Sequence, residues 1–125
     1  MKYIKLYEDL EFDPNNFRKL RKDIKAITIE LKDNGFKIQP FEVENDNGFD
    51  NFDFFVKIYK TKGIWGFYFD DIRDYVDTIK DYVDNYYVYK KLSIRLDDKI
   101  YNDYYINDNR RITQIEIDFD DIKKK

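Results

Sequence analysis

The sequence predicts an α+β fold of antiparallel sheet and two amphipathic helices, in the order β-αβββ-αβββ. Three observations predict it. Short runs alternate apolar and polar residues, most cleanly at Phe52, Phe54, Val56 and Ile58. Two longer segments repeat their apolar residues every three or four positions. Turn residues such as Thr61-Lys62-Gly63 and Asp97-Asp98 join neighbouring runs into hairpins. With 125 residues and 42% hydrophobic content, and no linker or low-complexity stretch, the chain reads as a single domain over 1–125.

The first strand is expected at Tyr3 to Tyr7, where Ile4 and Leu6 share one face. Asp13-Pro14 then opens a helix, with Asp as N-cap and Pro at the first helical position. Phe12 and Phe17 fit a hydrophobic staple across that cap. Phe17, Leu20, Ile24, Ile27 and Leu31 continue the helical spacing, and Gly35 stops it. Phe36 to Val43 reads as a strand, placed at a sheet edge by Pro40 because proline has no N–H to donate. Residues 44 to 51 form a polar loop. The run from Phe52 pairs, in this reading, with Ile64 to Phe69 as a hairpin. A second helix is expected from about Asp71 to Tyr86. The remainder reads as a meander of three strands: one through Leu92, Ile94 and Leu96, one over Ile100 to Ile106, and one through Ile115, Ile117 and Phe119. Lys123 to Lys125 would be a frayed tail. Phe69-Asp70-Asp71-Ile72 is echoed at Phe119-Asp120-Asp121-Ile122, which admits a degenerate duplication. Phe-Asp is equally a good strand-end dipeptide.

Composition removes many chemistries. There is no Cys, so a disulfide framework, zinc ribbon or thiol nucleophile is excluded. There is no His, so a Ser-His-Asp triad and a histidine switch are excluded too. No apolar run approaches the roughly 18 residues of a membrane span, and Met1-Lys2-Tyr3-Ile4-Lys5 is no signal-peptide core. A soluble, cytoplasmic chain is the expectation, with no cofactor and no metal. Low-GC codon usage accounts for the abundance of Lys, Asn, Ile, Tyr and Phe. It does not account for 20 Asp against 6 Glu. Asp is the poorer helix former, so an Asp-rich helix has given up stability.

On a helical wheel starting from Asp70, the residues Asp70, Asp74, Asp77, Asp81 and Asp84 fall within about 40° of one line. Ile72, Tyr75, Val76, Ile79, Tyr82, Val83 and Tyr86 cluster opposite, as a core-packing stripe. Arg73 and Lys80 sit to one flank. Like charges three and four apart oppose each other by roughly 0.2–0.5 kcal/mol per pair, so the row costs its helix on the order of 1–2 kcal/mol. Glu42, Glu44, Asp46, Asp50 and Asp53 add five acids without a base among them. The first helix has the opposite sign, with Arg18, Arg21, Lys22 and Lys25 on one flank. Residues 1–40 hold nine bases against seven acids, and residues 41–125 hold fourteen against nineteen.

Carboxylates are the only plentiful catalytic group. Asp97-Asp98-Lys99 and Glu116-Ile117-Asp118 are the best candidates for metal-dependent chemistry, at spacings that chance supplies readily in a chain with 39% charged residues. Glu44-Asn45-Asp46-Asn47-Gly48 fails the calcium-loop register. Ser93, the single serine, alternates with strand residues and reads as a strand hydroxyl. The expected function is therefore non-enzymatic. The acidic helix face, with Glu44, Asp46 and Asp50, would mimic nucleic acid and bind a basic groove of a nucleic-acid-processing enzyme. In size and charge logic this is similar to antirestriction and anti-CRISPR inhibitors of phages and mobile elements, without a shared motif. An immunity protein for a basic toxin uses the same physics. A nucleic-acid binder acting through the basic helix is the alternative of another class, and a homodimer pairing the basic helix with the acidic one is left open.

Overall fold

The computed structural model describes residues 17–45, 51–60, 66–102 and 106–125. The expected first strand, the Asp13-Pro14 cap with its Phe12 staple, Asp46, Asp50 and the turn at Thr61-Lys62-Gly63 lie outside these residues. The fold class is as expected: antiparallel sheets with helices.

Alternation builds the main sheet. Strands β1 (Phe36–Glu44), β2 (Phe52–Lys60), β5 (Lys91–Leu96), β6 (Lys99–Tyr101) and β8 (Gln114–Lys124) pair in the order β1-β2-β8-β5-β6, every pair antiparallel. Phe54, Val56, Ile58, Ile94, Leu96, Ile115, Ile117 and Phe119 point to one face and are buried. Helices α1 (Phe17–Ile27) and α3 (Arg73–Tyr86) bury Phe17, Leu20, Ile24, Val76, Ile79 and Val83 in the same core. Pro40 stands on β1, an edge of the sheet, as its missing N–H requires. Gly35 ends the helical segment at φ 90°, a left-handed conformation that a side chain resists.

Several expectations are corrected. The first helix is not continuous. It breaks at Thr28 and resumes as the short α2 (Ile29–Asp33). Ile27, Thr28 and Ile29 are β-branched in succession, and the Thr28 hydroxyl donates to the Ile24 carbonyl at 2.8 Å, which bends helices. The second helix begins at Arg73, because Phe69–Asp71 forms a 3-10 turn whose Tyr68 N–H donates to Asp71 at 3.0 Å. β2 forms its hairpin with β1, across the polar loop, not with the segment ending at Phe69. That segment yields β3 (Phe67–Tyr68), which pairs with β7 (Arg111–Ile112) in a separate ribbon. The C-terminal strands are not a meander: β8 inserts between β2 and β5. β6 ends at Tyr101 among the described residues, and buried Ile106 belongs to no strand. Lys123 and Lys124 are not frayed. They pair with Val88 and Tyr87 of β4 (Tyr87–Val88), and the Lys125 N–H donates to the Tyr86 carbonyl at 3.0 Å. The two Phe-Asp-Asp-Ile echoes take different structures, a 3-10 turn at 69–71 and a strand at 119–122.

One irregularity shapes the outer face of the sheet. Phe54 pairs with Phe119 but Phe52 pairs with Ile122, so β8 carries one residue more than β2 there. Asp121 takes the strain at φ 53°, which marks a β-bulge.

Candidate functional site

The side of α3 away from the core carries the aspartates. Asp74 and Asp81 are exposed, Asp77 and Asp84 half-buried. Asp70 sits one turn earlier in the 3-10 segment, so the ridge on the α-helix itself runs from Asp74 to Asp84, roughly 15 Å at 1.5 Å per residue. Its flanking cations are engaged with its ends. Arg73 bonds Asp70 at 2.8 Å and Lys80 bonds Asp84 at 2.7 Å. Asp74, Asp77 and Asp81 form no ion pair among the described residues. Burial, together with repulsion from Asp74 and Asp81, lifts the Asp77 carboxyl above the usual aspartate range, despite the pull of Arg73 and Lys80. Burial acts the same way on Asp84. There the hydrogen bonds from Lys80 and Tyr89 more than offset it, and the group is held low.

The same helix is stitched to its neighbours through acid–tyrosine bonds. Tyr82 donates to Asp23 on α1, and Tyr75 to Glu30 on α2 at 2.8 Å. Tyr75 and Tyr82 thus lie on the apolar side, as their spacing predicts. Tyr86 does not: it is 57% exposed, and Tyr87 is the buried ring at this end. On α1, Arg18, Lys22 and Lys25 are exposed and form no ion pair among the described residues. Arg21 is committed to Glu42 of β1, and Lys19 to Asp23 at 2.8 Å. Glu44 is exposed at the end of β1, the edge strand against which α1 packs, and no bond joins it to the α3 aspartates.

The face of the sheet opposite the helices carries a second constellation, which sequence reasoning met only as Glu116-Ile117-Asp118. Glu116 lies between Lys57 and Arg95 on the neighbouring strands. Asp118 lies between Phe55 and Ser93, neither of which carries charge. Burial first, then Asp53, Asp120 and Glu116, push its carboxyl up to about 6, against a weaker pull from Lys91. Its Oδ1 is buried with no hydrogen-bond partner among the described residues. Beside it Asp53 accepts from the Asp121 N–H at 2.9 Å and from Asn45 at 3.2 Å. A hydrogen bond to Asp53, then burial, raises the Asp120 carboxyl, while these donors outweigh burial and keep Asp53 ionised. The alternation of Glu116, Asp118 and Asp120 was the available signal, since period two places all three on one face. Asp97 serves structure: it accepts from the Thr113 N–H and hydroxyl and from the Gln114 N–H, at 2.8–3.0 Å. No group of three or more acids among the described residues is arranged to hold a metal ion.

No family model, curated protein or solved structure matches this chain. No helix among the described residues is long and apolar enough to cross a membrane.

Proposed function

We propose that this chain is a non-enzymatic inhibitor, which lays the acidic face of α3 onto a cation-rich groove of a nucleic-acid-processing protein. One observation carries the reading: Asp74, Asp77 and Asp81 share a face and make no ion pair among the described residues, although Arg73 and Lys80 flank them. A helix face kept only for hydration would mix its signs. The opposite face of α3 is occupied by the core, so the side that carries the ridge is the one a partner would meet. A cationic surface would relieve the mutual repulsion of the aspartates, and attraction at a distance would speed association. Antirestriction and anti-CRISPR inhibitors work by this physics, as does an immunity protein that covers a basic toxin.

Charge reversal tests it. Asp74→Lys, Asp77→Lys and Asp81→Lys together should leave the circular dichroism spectrum unchanged and abolish capture of basic proteins from a host lysate. The wild-type interaction should weaken as salt is raised. Capture that survives the reversal overturns the proposal. A second reading is favoured by Arg18, Lys22 and Lys25, which form no ion pair among the described residues: contact with nucleic-acid phosphates along α1. A gel shift that disappears on changing these three to Ala would support it in place of the first.

A further inference from the structure

The break at Thr28 opens a cleft that the acidic ridge does not use. α1 and α2 meet there over the start of β1, and a half-open cleft of about 440 Å³ lies between them. That is a ligand-sized volume, within the roughly 300–1,000 Å³ typical of small-molecule sites. Its apolar lining comes from Ile29, Phe36 and Ile38, and Lys25, Lys32 and Lys37 stand around it. All three lysines are exposed and none forms an ion pair among the described residues. Neither acid of α2, Glu30 or Asp33, lines the cleft, and Glu30 is held by Tyr75. Lys60 adds a fourth cation, 5.3 Å from the centre of the Phe36 ring. Ile29 is 54% exposed, second only to Tyr86 among the described large apolar side chains, and it stands at the cleft.

We infer that this cleft binds a soluble anion with an aliphatic tail, an acyl carboxylate or alkyl phosphate. The chemistry follows from the lining. Ile29 and Ile38, with the methylene stems of the lysines, offer aliphatic surface to a chain. Lys25, Lys32 and Lys37 line the same cleft and offer three ammonium groups to a head group that carries negative charge, and no carboxylate is among its described lining residues. The one ring among the described lining residues, Phe36, is 7% exposed and covered by Lys60, so a stacked base is disfavoured. Thr28 supplies the opening itself: its hydroxyl is turned back onto the Ile24 carbonyl, and the next residue, Ile29, is thrown outward.

Titration calorimetry on the whole chain tests this, with decyl phosphate and decanoate below their micelle concentrations. Inorganic phosphate and acetate serve as head-only probes, and an oligothymidylate as a nucleic-acid probe. One decyl phosphate per chain should bind saturably, and inorganic phosphate should bind at least about tenfold more weakly. Lys32→Gln with Lys37→Gln, and separately Ile29→Gln, should each weaken decyl phosphate by about fivefold or more, with melting temperature unchanged. The inference is overturned if neither amphiphile binds saturably, or if inorganic phosphate binds as tightly as decyl phosphate. It is also overturned if the substitutions leave affinity unchanged, or if only the oligothymidylate or anionic lipid vesicles bind. The α3 charge-reversal variant should bind decyl phosphate normally, which keeps failure here distinct from failure of the acidic-ridge reading.

Discussion

Single residues carry more of this structure than their chemistry suggests. Gly66 has φ 74°, and a Cβ there would stand 2.3 Å from the Ile112 carbonyl oxygen. Gly66→Ala combines a left-handed backbone with a backbone clash and should cost at least about 1–3 kcal/mol in urea unfolding. Asp97→Ala leaves the Thr113 and Gln114 N–H groups without their acceptor and should cost about 1–3 kcal/mol by the same measurement. Asp118 works in the other direction. Its carboxyl is raised from 3.8 to about 6, so the folded chain holds a proton that the unfolded chain releases. Between those values the folded state binds more protons, and this contribution to stability falls as pH rises. Below pH 4 the penalty is absent, and above 6 it is complete. Asp118→Asn should therefore stabilise the chain at pH 7 by about 1–2 kcal/mol, after allowance for solvent screening, and do little at pH 4. Urea midpoints at the two pH values check it. An Asn that gains nothing at pH 7 would show that the carboxylate is already compensated.

At the scale of elements, α3 and α1 follow different rules. α3 has a continuous apolar stripe, and its length was legible because Val76, Ile79 and Val83 repeat without interruption. Its start was misplaced by two residues, since Phe69 to Asp71 obey the same period while closing a tighter turn. The acidic face lowers its stability. Asp77→Gln removes the centre of the repulsion and exchanges a poor helix former for a better one. It should raise stability by about 0.5–1 kcal/mol at low salt and less at high salt. Thermal melts at two ionic strengths check this. On α1 the break was readable in principle from Ile27-Thr28-Ile29, but apolar spacing ran through it to Leu31 and hid it. The basic flank was legible as a row of four cations. That Arg21 is spent on Glu42 was not, because the partner lies 21 residues away on β1.

Over the whole molecule, the local alternations at β1, β2, β5 and β8 were visible and their partners were not. Phe52 to Ile58 looks ready to pair with whatever follows it, and Thr61-Lys62-Gly63 supplied a plausible turn. The pairing was decided by long-range burial: β8 is apolar on its core face from Ile115 to Phe119 and fits between two other strands. For the same reason Glu116-Ile117-Asp118 looked like chance spacing, since the neighbours of Asp118, Phe55 and Ser93, come from strands far apart in sequence. β8 pairs with β2, β5 and β4, so it joins the β1–β2 and β5–β6 hairpins and holds β4. Deleting residues 114–125 should abolish cooperative unfolding, with loss of protection for β2 and β5 amides in hydrogen exchange.

Because β8 is the last of the sheet strands to leave the ribosome, the β1–β2 and β5–β6 hairpins are synthesised before the strand that joins them. Until it arrives, the inner edges of β2 and β5 are without the neighbour they share, and Phe54, Val56 and Ile94 lack their cover. The nascent chain therefore passes through an interval in which it is most prone to pairing with other chains, and chaperones that shield bare strands would act on it there.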